Sequence, residues 1–413
     1  MKESKARVIC LVDIYDWSRG GHFRTCFRIY SQLLLELGHK VIALCGRPEE
    51  ITEWVRQNVS AERAANFSAY PSRKSRRLRW LPGNLSRPMV AWLRWRALAK
   101  HIRRALSWER AEIDGVFLMY FEDFIPAEGR LPRWLVEHAF RWQWAFLSVS
   151  SSYRQKTESQ QEVARQARRL FHLATAKNCT GWCILDGKNC DLLQSLFPQA
   201  PVRLLPDVTD EALPDMGFPL AREVLERAQE RKIISLLGLL ERRKGLLTLV
   251  RVAKRRPDIF FLFAGPYRDG AFNEEEKREL KQFLARVPDN CVFQPARIDV
   301  EGQFNRLVAI SDILFTAYVD FQGSSNVMTK AAIFEKPVIV SAGSLCHERV
   351  ERYRLGVAIA EGSAEECSQA IDYLLSDAGR AERRDYAGFA QSMSQNTLKE
   401  QLREVVAAFA EEP

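Results

Sequence analysis

The sequence predicts an α/β protein built from two doubly wound, Rossmann-like domains facing a cleft. Three observations predict it. The chain has 413 residues, too many for one ordinary domain and suited to two of about 200 residues. Short apolar runs alternate with longer helix-period segments, the order expected of parallel sheets covered by helices on both faces. That alternation occurs twice in tandem, with PDVTDEALPDMGFPL and a short helix (206–230) as the join.

In the first array, strands are expected at 7–13 (RVICLVD), 40–45 (KVIALC), 113–119 (IDGVFLM), 143–149 (QWAFLSV), 182–185 (WCIL) and 202–205 (VRLL). A helix over 22–37, stopped by Gly38, follows the first of them, and a second helical pattern starts at Pro88. In the second array, strands are expected at 232–237, 259–264, 291–294, 313–316 and 337–341. Helices at 245–255, 273–286, 300–310 and 325–335 alternate with them. The domains then run 1–205 and 206–385, followed by a helical tail (386–413) that could cross back to the first domain.

Composition excludes several classes. With 46% hydrophobic residues and ten tryptophans, the chain can fill two cores, so wholesale disorder is excluded. No apolar run approaches the roughly 18 residues of a membrane-spanning helix, and the opening MKESKARVICLVDIYDW reads as a first strand rather than a signal peptide. Nine cysteines without a paired CxxC spacing fit reduced packing residues in a cytoplasmic protein. Cys179, Cys183 and Cys190 form the tightest group, but their spacing matches no zinc pattern and no metal is expected. Charge is lopsided: residues 1–205 hold 33 Lys+Arg against 19 Asp+Glu, and residues 206–413 hold 28 against 33. The basic half is expected to meet something anionic.

Ligands of doubly wound domains bind beyond the carboxyl ends of strands, where amides at helix starts are available. Three loops there could carry chemistry. In DIYDWSRGGHFRT (13–25), Gly20 and Gly21 allow close backbone approach and His22 opens a helix; a plain glycine turn explains the pattern equally well. In SLLGLLERRKGLLTLV (235–250), Lys244 and Gly245 stand at a helix start, a usual way to hold a diphosphate, against the alternative of a solvated basic turn. In FQGSSNVMTKAAIFEKPVIVS (321–341), Gly323, Ser324, Ser325 and Asn326 supply flexible backbone, hydroxyls and a helix cap. These side chains could cap their own helix, which is compatible with binding.

Gly238 to Gly245, FLFAGP (261–266), the segment 311–341 and GVAIAEG (356–362) together resemble the C-terminal domain of a GT-B fold glycosyltransferase of the retaining group 1, family 4-like type. The likeness covers most of 232–375 in order and spacing. The first half fits more loosely, through Gly20-Gly21, ELGHKVIALC (36–45) and RLLPDVTD (203–210). The resemblance implies that 206–385 binds a nucleotide-sugar and 1–205 an acceptor. It implies no cofactor and no metal, with UDP- or GDP-sugar as substrate. In the family, a Gly-Arg-Leu-x-x-x-Lys-Gly segment holds the diphosphate, and an acidic-x7-acidic motif contacts sugar and ribose. Here Leu239 stands at the arginine, Gln322 at the first acid and Lys330 at the second. Gln322 can still hydrogen-bond a sugar, but an ammonium cannot accept from ribose hydroxyls. Lys330 is therefore expected either to offer charge to the donor phosphates or to pair with a neighbouring acid.

The family histidine after the fourth strand has no counterpart in VFLMYFEDF (116–124), where Tyr120, Glu122 and Asp123 stand. If the enzyme inverts, a base is required. The candidates are His22, Asp13 and Asp16, with Glu122 or Asp123 behind them; a histidine at a helix start is also a common structural residue. The segment 71–110 holds twelve Lys+Arg and one Glu. Arg73, Lys74, Arg76, Arg77 and Arg79 form a basic loop, expected to contact a membrane surface or another anionic polymer. The helix after it carries Trp92, Trp95, Ala99, Ile102 and Leu106 on one stripe, expected in the core, with a basic face beside it. No nucleic-acid fold signature accompanies the charge.

The leading expectation is a cytoplasmic glycosyltransferase, peripheral at most to the inner membrane face, acting on glycan, glycolipid or other cell-envelope acceptors in polysaccharide biosynthesis. An inactive scaffold of the same fold, or a sugar-nucleotide epimerase, are the alternatives.

Overall fold

The computed structural model describes residues 6–14, 21–72, 87–126, 130–149 and 159–410, with backbone alone at 21, 22, 123 and 410. The chain divides into two compact units, Met1–Val208 with Ser394–Pro413, and Thr209–Met393.

The first unit contains a seven-stranded sheet of β1 (Val8–Val12), β2 (Lys40–Cys45), β3 (Phe67–Pro71), β4 (Gly115–Leu118), β5 (Trp144–Ser148), β6 (Cys179–Ile184) and β7 (Val202–Leu204), in the order β3-β2-β1-β4-β5-β6-β7. Every pair is parallel. The strands are nearly continuous apolar runs because both faces are buried. Cys10, Val12, Trp144, Phe146 and Trp182 point into one core, while Ile9, Leu11, Ala145, Leu147 and Cys183 point into the other. The first core is aromatic: Phe121 stacks on Phe146 with ring centres 3.9 Å apart, and Trp95 meets Trp144 at 5.1 Å.

Helix α1 (Gly21–Glu36) covers one face and α2 (Arg87–Glu109) the other. The stripe on α2 is in the core, with Trp95, Ala99 and Ile102 fully buried and Trp92 and Leu106 packed against that cluster. Arg96, Lys100, Arg103, Arg104 and Trp108 are exposed.

The second unit repeats the plan with β8 (Ile233–Leu237), β9 (Phe260–Ala264), β10 (Cys291–Gln294), β11 (Ile313–Thr316), β12 (Val338–Ser341) and β13 (Gly356–Ile359). They lie in the parallel order β10-β9-β8-β11-β12-β13. The helices that matter below are α3 (Leu246–Arg255), α4 (Glu301–Ile310), α5 (Asn326–Ile333) and α6 (Leu345–Tyr353). The edge strands β3 and β13 are absent from the sequence expectations; both are largely half-buried, and β3, FSAYP, lacks the apolar run that marks a central strand.

After the second unit, α7 (Gln395–Ala407) belongs to the first. Its Leu398, Leu402, Val405 and Val406, with Phe409, complete the core against α1. Lys399 Nζ pairs with Glu36 at 2.7 Å. A Cβ on Gly115 would come within 2.3 Å of the Phe409 ring, so the absence of a side chain in β4 is what admits that aromatic.

Candidate functional site

In each sheet the strand order reverses between two central neighbours, β1 and β4 in the first unit, β8 and β11 in the second. Loops leaving the carboxyl ends of such a pair diverge and leave a crevice, where doubly wound sheets bind their ligands.

In the second unit the loops are 238–245 and 317–326, which carry Lys244, Gly245, Gln322, Gly323, Ser324, Ser325 and Asn326. The structure ties them together. Gly245 has φ +72°, and a Cβ there would lie 2.4 Å from the Ala317 carbonyl oxygen; only glycine allows this approach. The Val319 N–H donates to the Arg243 carbonyl at 2.8 Å. The Arg243 guanidinium lies 4.8 Å from the Phe321 ring centre, and Arg242 pairs with Asp320 at 3.4 Å. Lys244 Nζ stands 3.7 Å from the centre of the Tyr318 ring, close enough for a strong cation–π contact. Tyr318 Oη in turn shares a 2.7 Å hydrogen bond with Ser325 Oγ. Lys244 is thus connected to the helix start through one tyrosine.

That bond changes what Ser325 does. It occupies the N-cap position of α5, but no side chain among the described residues caps that helix. The sequence allowed the hydroxyls simply to cap their own helix. Instead the Ser325 hydroxyl is spent on Tyr318, and the positive end of α5 is left to other partners. Asn326 Oδ1 accepts from Thr209 Oγ1 at 3.1 Å. Gln322 is half-buried and makes no hydrogen bond among the described residues.

Lys330 follows the second of its two expected courses. It is 3% exposed, and its ammonium donates to Asn305 Oδ1 at 2.6 Å, Glu301 Oε2 at 3.2 Å and the Asp210 carbonyl at 3.2 Å. The Phe304 ring centre is 5.5 Å away. All three donor positions of the ammonium are used, so it is a packing cation that joins α4, α5 and the 209–217 segment and does not project at the helix start. Asn305 Nδ2 extends the network to the Ala212 carbonyl at 2.7 Å.

In the first unit, Asp13 ends β1, is 1% exposed, and donates its backbone N–H to the Leu44 carbonyl at 2.9 Å. Across the switch point, Tyr120 is also buried. Its phenol is held protonated well above the usual range, first by burial and then by the charges near it, Asp13 and Asp207 among them. Glu122, in the turn 121–124, accepts from Ser148 Oγ at 3.1 Å. Asp13 and Tyr120 are therefore brought together, with Glu122 two residues further along the same loop. Gly21 and His22 begin α1, and the His22 side chain lies outside the described residues. So do Asp16, Gly20, the Asp123 side chain and the whole Arg73, Lys74, Arg76, Arg77, Arg79 loop.

Two residues of these sites had no sequence signal: Asp207 and Glu301. Asp207 lies in the RLLPDVTD segment, where nothing distinguishes a buried carboxylate from a turn residue. Among the described residues no group of three or more His, Cys, Asp or Glu side chains could hold a metal ion, and none of the nine cysteines forms a disulfide.

Residues 218–391 match the family model described as glycosyl transferases group 1. No curated protein matches the chain. Among solved structures, sucrose-phosphate synthase from Thermosynechococcus elongatus superposes with a TM-score of 0.67 at 16% identity, covering 97% of this chain and 98% of that one. HepE of Anabaena, in complex with UDP and glucose, has a TM-score of 0.62 at 15% identity, over 97% and 100%. WaaG, a glycosyltransferase involved in lipopolysaccharide biosynthesis, has 0.58 at 15%, over 97% and 99%. At these identities the likenesses establish the fold, two Rossmann-like domains of the GT-B kind.

Proposed function

We propose that this chain, whose residues 218–391 match the model of glycosyl transferases group 1, moves a sugar from a UDP- or GDP-sugar to a glycan, glycolipid or other cell-envelope acceptor, with retention and without a metal. The single observation that carries the reading is the joined pair of loops at the β8/β11 switch point. There Lys244, Tyr318 and Ser325 form one connected unit beside an α-helix start that no side chain among the described residues caps. Such a place suits a diphosphate: the helix dipole and lysine charge neutralise it, and Gly323 lets the backbone come close. The HepE complex with UDP and glucose supports UDP as the first nucleotide to try.

In this reading the residues of the second unit hold the leaving diphosphate as negative charge develops on it. Lys244 and the α5 amides favour that charge more in the transition state than in the bound substrate. Gln322, with both an acceptor and a donor, contacts the sugar. Asp13 and Glu122 in the first unit are the carboxylates assigned to the acceptor side in this reading.

Thermal shift against UDP-, GDP-, ADP- and CMP-sugars tests the reading. Stabilisation by a uridine or guanosine sugar is expected. Lys244→Ala should weaken that nucleotide by about tenfold or more, the loss expected for one charge-assisted contact to phosphate. A chain stabilised by none of the four is a binding scaffold instead. One observation favours that second reading: both acidic positions of the resembled motif are gone, and the residue at the second is buried as a cation.

A further inference from the structure

We propose that Arg243 binds the donor diphosphate as a second cation beside Lys244, seated for that contact on the ring of Phe321. The inference rests on the donor-binding reading above and adds to it a residue, and a support, that the reading does not use.

Residues 242–244 are three consecutive cations in the turn that leads into α3, and each is engaged differently. Arg242 is held by two carboxylates, Glu276 at 3.2 Å and Asp320 at 3.4 Å. Lys244 lies over the Tyr318 ring. Arg243 meets one carboxylate, with Nε donating to Glu241 Oε1 at 3.0 Å and Nη2 standing 2.9 Å from the same oxygen. Its Nη1 makes no hydrogen bond among the described residues, and the side chain is 38% exposed.

Two neighbouring cations thus stand over two neighbouring rings. The Arg243 guanidinium lies against Phe321, and Phe321 meets Tyr318 edge to face with ring centres 5.4 Å apart. A half-buried ring holds a cation better than one fully in water. The backbone of Arg243 is tied to the same loop, because its carbonyl accepts from the Val319 N–H.

Phe321 also fixes where the guanidinium stands relative to the glycine loop. A Cβ on Gly323 would lie 2.6 Å from Phe321 Cζ, so the tip of the ring fills the space a side chain would take. The Gly323 carbonyl is held in turn by the Cys346 thiol of α6 at 3.8 Å. Phe321 therefore has Arg243 against it and Gly323 at its tip, which sets the cation beside the backbone at which the diphosphate is read.

A guanidinium is a planar fork of five N–H donors. Glu241 takes the Nε and Nη2 edge, and the Nη1 edge is left for a second anion, the paired geometry that arginine uses with phosphate. One phosphate has Lys244 and the start of α5 to meet its charge. The second needs a further cation, and Arg243 stands at the loop with donors left.

The test uses the full chain with a nucleoside diphosphate and its monophosphate, UDP with UMP or GDP with GMP, whichever pair stabilises the wild type. Arg243→Gln, Arg243→Lys and Phe321→Leu are compared by calorimetry and by melting temperature. Arg243→Gln should lose about tenfold in diphosphate affinity while monophosphate affinity moves less than about twofold. Arg243→Lys, which keeps the charge without the fork, should fall between it and the wild type. Phe321→Leu keeps the arginine but removes its seat, and should lose about threefold, again for the diphosphate alone. Equal losses for diphosphate and monophosphate, full affinity in Arg243→Gln or in Phe321→Leu, or a lowered melting temperature with unchanged discrimination would overturn the inference and leave Arg243 as a surface partner of Glu241. Should Phe321→Leu fail to fold, the two Arg243 variants decide the matter alone. A wild type that binds neither pair defeats the donor-binding reading itself, and this inference with it.

Discussion

Lys330 places a full charge in the protein interior and repays its desolvation with three oxygen partners. Lys330→Met should destabilise the chain by about 3 kcal/mol, the low end for breaking a buried pair, because Glu301 keeps some access to solvent. Lys330→Glu should cost more, since it sets a carboxylate against Glu301. The double exchange Lys330→Glu with Glu301→Lys should recover part of that loss. Denaturant titration of the four proteins measures it, and a double variant no better than Lys330→Glu would show that the pair is not the organising contact. The place of Lys330 in its motif is legible in the sequence, and so are Lys244, Gly245 and the polar helix start. Its partners are not: Asp210, Glu301 and Asn305 come from segments 120, 29 and 25 residues away, and no local pattern links them.

Among the elements, those with long apolar or helical patterns were legible, and those whose signal is diluted by exposure were not. The segment FSAYP of β3 has one edge paired, with β2, and ends in a proline, which edge strands tolerate. Its composition alone points to a loop. A contact between neighbouring elements also sets the pH response. His39, between α1 and β2, is 1% exposed, and its Nδ1 accepts from the Arg7 N–H at 3.3 Å. Burial pushes its imidazole below the ordinary value of 6.5, with the Arg7 charge adding to the effect. The fold therefore favours the neutral ring. That contribution is fully present above the unfolded value and is lost as pH falls through the lower, folded one. Melting temperature should thus fall as pH drops below 6.5, and His39→Gln should flatten the part of that slope due to this residue. An unchanged slope in His39→Gln would assign the acid sensitivity to other groups.

At the scale of the whole molecule, the charge asymmetry and α2 set an expectation for anionic surfaces. With its aromatic stripe buried, α2 offers such a surface its Arg96, Lys100, Arg103 and Arg104 side, with Trp108 and, in the first turn, Arg87 and Met89. Two of these arginines stack on tryptophans, Arg96 on Trp92 and Arg104 on Trp108. No helix among the described residues is long and apolar enough to cross a membrane. Co-sedimentation with vesicles containing a third anionic lipid should therefore be electrostatic, falling sharply as salt approaches the concentration that screens beyond about 8 Å. Changing Arg96, Lys100, Arg103 and Arg104 to glutamine should remove most of it, and binding that persists in that variant would reject the surface.

The placement of α7 has a consequence for synthesis on the ribosome. The second unit is one continuous stretch, Thr209–Met393, whereas the first lacks part of its core until Leu398 to Phe409 arrive. Translation at roughly 5–20 residues per second leaves an interval on the order of 10–40 s between Val208 and those residues. During that interval the unit made first stays unfinished while the unit made second already has its whole sequence. The order of completion is thereby the reverse of the order of emergence. The helix face of α1 that receives Leu402 and Val406 is then the surface a nascent-chain chaperone would have to cover.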